Sequence, residues 1–375
     1  MAPDLASRLA RRTLDLVRTP SVYGDERALC DEIEAWAKAK FSPNRVVRVG
    51  NAVVAGRPSG ARPAIALVGH LDTVPPHEGD PAPSITDGRV IGLGASDMKS
   101  GLAVALTLAD DLDRDTLPWD LVLVFYDKEE GPHEDSGLGP LLSACPWLGE
   151  VDLAIVGEPT DNVIQVGCVG SIHATLTLRG SSAHSARPWH GENAIHKAAP
   201  ILAALADREH REVQVGGHAF FEVMSATRAS AGRYRNVVPD HFELHVNYRF
   251  APGRTITEAE ADIRALAGDR AHVEITDRSP SGAVPTGRLY DFVVSRAGVP
   301  VAPKQAWTDV ARLAEAGIPA LNYGPGLTAQ AHQPAEYCQV ADLTHNYETL
   351  RRVLQAAPPE PTERAGAAAS ARGCP

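Results

Sequence analysis

The sequence predicts an α/β protein, a mixed central sheet flanked by helices, with a smaller α+β unit inserted into it. Three observations predict this. Short apolar runs bounded by Gly and Pro alternate with helix-patterned segments in the first half of the chain, the sign of strands buried on both faces. From Ser171 the order changes to strand, helix, strand, strand, helix, strand. Beyond that stretch an apolar run of the first kind returns, and 375 residues suit two cores better than one.

Residues 5–40 carry apolar side chains at helical spacing, interrupted at Thr19-Pro20, and read as two helices, the second over about 25–39. VVRVGNAVVAG reads as two strands joined at Gly50-Asn51. AIALVG (64–69), LVLVFY (121–126), DLAIVG (152–157) and PALNYG (319–324) read as buried strands. SGLAVALTLADDL (100–112), apolar almost all round, reads as a buried helix. In the middle, IHATLTL, FFEVMSAT, FELHVNYRF and AHVEIT read as strands, with helices over 192–205 and 257–266. That βαββαβ order is the ferredoxin-like split unit. Its ends lie close together, which suits an insertion, and the connections run through 167–170 and 279–287. The expected division is a main domain in two parts, 1–170 and 281–357, the inserted unit at 171–280, and a disordered Pro/Ala/Gly-rich tail at 358–375.

Acidic residues outnumber basic ones by 47 to 36, a formal charge of −11, and a field of that sign repels phosphate backbones. Nucleic acid is therefore excluded as a partner. No run of about 18 apolar residues offers a membrane span, and MAPDLASRLARR has charges where a signal peptide needs an apolar stretch. Cys30, Cys145, Cys168, Cys338 and Cys374 are scattered and never form CxxC, which fits a reducing compartment, the cytoplasm, and argues against a thiolate metal site.

The chemistry gathers where the strands end. His70 and Asp72 follow AIALVG, Glu129 and Glu130 follow LVLVFY, Glu158 follows DLAIVG, and a Gly/Pro-rich loop after PALNYG leads to His332. Asp97 lies in GLGASDMKSG, just before the buried helix. In an open α/β sheet the crevice at the carboxyl ends of the strands is where ligands bind. Several carboxylates drawn together there repel one another unless cations neutralise them. Two His with carboxylates and no Cys make a ligand set for a pair of divalent ions, zinc first. The short Asp97 suits a bridge between two metals about 3.5–4 Å apart. On an extended segment, Glu129 and Glu130 would point to opposite sides, one to metal and the other to substrate as general base. Asp72 stands within reach of the second imidazole nitrogen of His70. His173, His196, His218, His241 and His272, in the inserted unit, have no acid cluster nearby and read as structural.

GHLDTVP, GLGASDMKSG, DKEEG, VGEPT, SSAHSARPW, NVVPD and the late AH-then-acidic stretch each resemble a motif of the co-catalytic zinc aminoacylase and carboxypeptidase family, and they occur in the family's order. The resemblance runs over about residues 4–354. It implies a zinc-peptidase-like main domain in which His70 and Glu158 bind one metal, Glu130 and His332 the other, and Asp97 bridges. Zinc is the expected ion, with cobalt as an alternative. Glu129 would be the general base, Asp72 the acid that orients His70, and Asp97-Met98 a cis peptide. The inserted unit would be a dimerisation domain, so that the protein is a homodimer. His184 would then reach the partner's site to stabilise the oxyanion, while Asn236 and Arg249 hold substrate. AHSARPWHGENAIHKAAPIL, NYRFAPGRT and WTDVARLAEAGIPALNYGPG are most similar to the branch of actinobacterial-type succinyl-diaminopimelate desuccinylases. That implies release of succinate and LL-2,6-diaminopimelate from a small acylated amino acid, on the route to lysine. An acetylornithine deacetylase, or another N-acyl-amino-acid or dipeptide hydrolase of the family, is the alternative. A member that only binds would have lost a ligand or the base, and all are present here.

Overall fold

The computed structural model describes residues 4–359, and the expected tail falls outside the described residues from 360 onward. The chain opens with α1 (Leu5–Arg18) and α2 (Arg27–Lys40), then the hairpin of β1 (Val46–Val49) and β2 (Ala52–Ala55), and β3 (Ala64–His70). β4 (Ser84–Thr86), β5 (Arg89–Ile91), α3 (Lys99–Asp111), β6 (Asp120–Tyr126), α4 (Leu138–Ala144), β7 (Leu153–Val156) and β8 (Ile164–Val166) follow. The middle comprises β9 (Gly170–Arg179), α5 (Ala194–Ala206), β10 (Arg211–Val215), β11 (His218–Ala231), β12 (His241–Phe250), α6 (Ile256–Ala267) and β13 (His272–Ser279). The chain closes with α7 (Arg288–Ala297), β14 (Val301–Pro303), α8 (Val310–Glu315), β15 (Ala320–Asn322), β16 (Tyr337–Gln339) and α9 (Val340–Gln355).

The main sheet has the order β1-β2-β6-β3-β7-β15-β8-β14. β3 runs parallel to β6 and β7, and β7 parallel to β15, while β2 joins β6 antiparallel. The sheet is therefore mixed, as expected, with a parallel centre. β3 and β6 are buried along their whole length because helices cover both faces. α1, α3 and α9 pack together over one face, and α4 and α8 line the apolar cluster on the other. α3 is buried from Lys99 to Ala109, which explains its lack of a polar face.

β9 to β13 form a second, antiparallel sheet with the order β10-β11-β12-β9-β13. Burial alternates along β9 and β12, with Ile172, Ala174, Leu176 and Leu178 packed against α5 and α6. α5 is capped by the Asn193 side chain, and Thr255 and Glu258 form a reciprocal cap on α6. The unit has one strand more than βαββαβ allows. β10 pairs antiparallel with β11 at the sheet edge. A small third sheet, β16-β5-β4, was likewise not expected.

Two strands of chain connect the main and second sheets, and they are bonded to each other. The Cys168 N–H donates to Gly282 O at 3.2 Å and the Gly282 N–H to Cys168 O at 3.0 Å. Among the described residues no helix is long and apolar enough to cross a membrane. Cys30, Cys145, Cys168 and Cys338 are all buried free thiols.

Candidate metal centre

Register brings the candidate residues to one edge. His70 ends β3 opposite Tyr126 of β6, from which the chain runs on to Glu129 and Glu130. On the other side of β3, Val68 pairs with Val156 of β7, and Glu158 follows. Asn322 of β15 lies opposite Val156, and its loop leads to His332. Gly101, at the start of α3, packs so tightly on this edge that a Cβ would collide with the Gly157 carbonyl oxygen.

Donor atoms of His70, Asp97 and Glu158 all lie within 4.8 Å of one another, and so do those of Asp97, Glu130 and His332. Asp97 stands between the two sets. Its Oδ1 is 3.3 Å from His70 Nε2 and its Oδ2 is 3.6 Å from His332 Nε2. Glu130 lies 2.9 Å from His332 Nε2, and Glu158 Oε1 lies 3.9 Å from His70 Nε2. On the far side of His70, Nδ1 is 3.1 Å from Asp72 O and 3.5 Å from Asp72 Oδ1. The Asp72 carboxylate also accepts the N–H groups of Glu129 (3.0 Å) and Glu130 (2.9 Å), so it orients the imidazole and the Glu pair together. The Asp97-Met98 peptide is cis.

Glu129 and Glu130 do not sit on an extended segment. Lys128 adopts φ 60°, and this turn past β6 brings donor atoms of both Glu residues within 4.8 Å of His70. The expectation of opposite-facing side chains is corrected accordingly: both acids face the cleft.

Burial, joined by the negative charge of Asp97, pushes the Glu158 carboxyl up to about 7. Burial and the charge of Glu158 push Glu129 well above the usual carboxylate range. Burial would raise Asp97 as well, but His70 outweighs it and holds Asp97 low. His332 is pushed up to about 9 by its hydrogen bond to Glu130. Two carboxylates about 4 Å apart repel by roughly 4 kcal/mol at an effective dielectric of about 20. Four acids in one crevice therefore select a cation. Glu158 Oε1 is buried with no hydrogen-bond partner, an orphaned acceptor pointing to the same conclusion. The all-nitrogen and oxygen donor set fits divalent metal ions.

Glu336 was given no role in the sequence, yet it holds the loop that carries Asp97. Its Oε1 accepts the Ser96 and Asp97 N–H groups at 2.7 and 2.8 Å, and Oε2 accepts that of Gly94 at 2.8 Å. Its backbone oxygen accepts the Gly92 N–H. The one available signal was its place in the acidic stretch after His332.

The cleft beside the cluster has a volume of about 390 Å³ and lies between the two sheets. Arg249 lines it, as do His173, Asp277, Lys304 and Trp307, none of which sequence reasoning selected. His173, read as structural, faces this cleft from β9. The β13 bulge between Ile275 and Asp277 sets Asp277 opposite His173. His184 and Asn236 do not line the cleft of their own chain; both are exposed on the second unit. His184 Nδ1 accepts the Ala186 N–H at 3.0 Å.

Residues 66–356 match the sequence profile of "Peptidase family M20/M25/M40". A Mycobacterium tuberculosis H37Rv protein provisionally named as a succinyl-diaminopimelate desuccinylase is 40% identical over 94% of this chain and 99% of its own length. A Corynebacterium glutamicum succinyl-diaminopimelate desuccinylase is 36% identical over 91% of this chain and 95% of its own. Among solved structures, a Staphylococcus aureus tripeptidase superposes with a TM-score of 0.75 at 20% identity, covering 93% of this chain and 98% of that one. A Sulfolobus solfataricus M20 family metallo-carboxypeptidase superposes with a TM-score of 0.75 at 16% identity, covering 94% and 99%. These two share the fold. The profile match and the two close relatives together establish that this chain belongs to peptidase family M20/M25/M40.

Proposed function

We propose that the protein hydrolyses N-succinyl-LL-2,6-diaminopimelate to succinate and LL-2,6-diaminopimelate. Family membership makes the chemistry metal-dependent hydrolysis of an amide bond. The observation that carries the reading is the position of Asp97 between His70–Glu158 and Glu130–His332, with Glu129 beside them. His70, Asp97 and Glu158 would hold one ion and Asp97, Glu130 and His332 a second, zinc in the first instance and cobalt as an alternative. When bound, such a pair supplies a water of lowered pKa and a Lewis acid for the scissile carbonyl. Glu129 takes the proton from the attacking water, whose oxygen adds to the acyl carbon. As the C–N bond breaks, Glu129 returns the proton to the departing nitrogen.

The oxyanion is held in addition by His184 of a second copy. Nδ1 of this exposed side chain accepts the Ala186 N–H, so the neutral ring carries its proton on Nε2 as a donor. The exposed Trp189 and Tyr234 lie on segments close to His184 and Asn236 and support a homodimer formed through the second unit. Asn236, from the same exposed region, and Arg249 hold the substrate's polar groups. The buried free thiols support a reducing, cytoplasmic setting. Identity of 36–40% to relatives named for this reaction supports the choice of substrate.

The test is turnover by zinc-loaded protein of N-succinyl-LL-diaminopimelate beside N-acetylornithine, with an EDTA-treated control. Cleavage of the succinyl compound is expected, abolished by metal removal. Cleavage of the acetyl compound alone would move the protein to another branch of the family.

A further inference from the structure

We propose that Lys304 is a specificity-determining residue, a built-in cation that reads the far carboxylate of a dicarboxylic acyl group. The proposal rests on the amide-hydrolase reading above and concerns the acyl end of the same cleft. Lys304 follows β14 directly, and its backbone N–H donates to Val166 O at 3.1 Å, which fixes the stem of the side chain beside the main sheet. The residue is only 5% exposed, yet it lines the cleft. Nζ makes a single protein hydrogen bond, to Pro159 O at 3.2 Å, and among the described residues no carboxylate lies within 4.0 Å of it. An ammonium has three donors, so two are left for something that enters the cleft. Lys304 lies within Coulombic range of Asp97 and Glu158, but none of the described carboxylates contacts Nζ, and a buried ammonium with unmet donors is stabilised by an anion that completes them.

The other charges of the cleft sort the two ends of the substrate. Among the described residues, the guanidinium of Arg249, half-buried on β12, uses only Nε, which donates to Asn247 Oδ1 at 3.0 Å. The Asp277 carboxylate, on β13, has neither an ion pair nor a hydrogen bond among the described residues and lines the same space. The second-sheet wall thus offers one cation and one anion, the complement of an amino acid bearing a carboxylate and a free ammonium. Lys304 stands on the main-sheet wall, bonded to the residue that follows Glu158, which leaves it for the acyl end. An acetyl group would leave Lys304 unpaired, whereas a succinyl group would pair it.

The competing role is a counter-ion for Asp97 and Glu158, and the two roles separate experimentally. Lys304→Met and Lys304→Arg are compared with the parent on N-succinyl- and N-acetyl-LL-diaminopimelate, with bound metal counted and succinate binding measured by calorimetry. The expected result for Lys304→Met is a fall of about ten- to a hundredfold in the succinyl-over-acetyl ratio of kcat/KM. The fall should appear mainly in KM, with parental metal content and weakened succinate binding, and Lys304→Arg should recover part of the ratio. Equal losses on both substrates, or loss of metal, would overturn the proposal in favour of the counter-ion. A parent that cleaves neither compound would defeat the functional reading instead. Succinate binding by the metal-loaded parent, and its loss in Lys304→Met, would then still decide the role of Lys304.

Discussion

Glu336 commits both oxygens of its carboxylate to three peptide N–H groups of the Asp97 loop. Glu336→Gln replaces one acceptor oxygen with an NH2 that faces a peptide donor, so the loop loses its anchor while the side-chain volume is kept. Metal affinity is expected to fall about ten- to a hundredfold, a size usual for groups that orient a ligand, which a competitive chelator titration would measure. Glu129→Ala should keep its metal and lose turnover by about two to four powers of ten, the usual worth of a general base; near-normal turnover would sink the mechanism. His332, held up near 9 by Glu130, carries a proton at neutral pH that a metal must expel. Metal affinity should therefore rise with pH through this range, with proton release seen by calorimetry in buffers of different ionisation enthalpy. A flat profile would remove His332 from the ligand set. The gathering of His70, Asp97, Glu130 and Glu158 was legible because each lies within a few residues of a strand or helix end, and His332 because its loop follows β15. Glu336 and Lys304 were not, because their partners are main-chain atoms distant in sequence, such as the Asp97 N–H and Pro159 O.

Elements buried on both faces were the most legible: β3, β6, β7 and α3 fall within about a residue of the expected boundaries because their runs are almost wholly apolar and the polar residues gather at the ends. β10 was missed because Arg211–Val215, at the edge of its sheet, is largely solvated and buries only part of Val213 and Val215. β4, β5 and β16 have three residues each; β4 and β5 form a hairpin turned at Asp87-Gly88 that is too short to show a strand pattern, and β16 joins β5 from far along the chain. The contact of α3 with the Gly157 loop makes an element-scale prediction. Gly101→Ala puts a methyl against a backbone oxygen that no rotamer change can clear. The expected cost is about 1–3 kcal/mol, read as a lowered Tm. Weakened metal binding should accompany it, because the displaced loop carries Glu158.

At the scale of the molecule, the proposed role of His184 would leave the site incomplete within one chain. His184→Ala and Glu129→Gln are each expected to be nearly inactive and to complement each other after subunit exchange. In a mixed dimer, the His184→Ala chain keeps its own Glu129 and receives His184 from its partner. Random re-association should restore about a quarter of parental activity; no recovery would confine His184 to its own chain. The paired connections at Cys168 and Gly282 have a mechanical consequence. A single thread lets whatever it carries swivel freely, whereas two threads laced together bend far more easily than they twist. The second sheet thus hangs on an axle, with the two hydrogen bonds between Gln305 and Phe221 as a further hold on the main sheet. Tilting in one sense would carry His173, Arg249 and Asp277 toward Glu129 as one plate and close the wall over a substrate in a single stroke, and tilting in the other would open it.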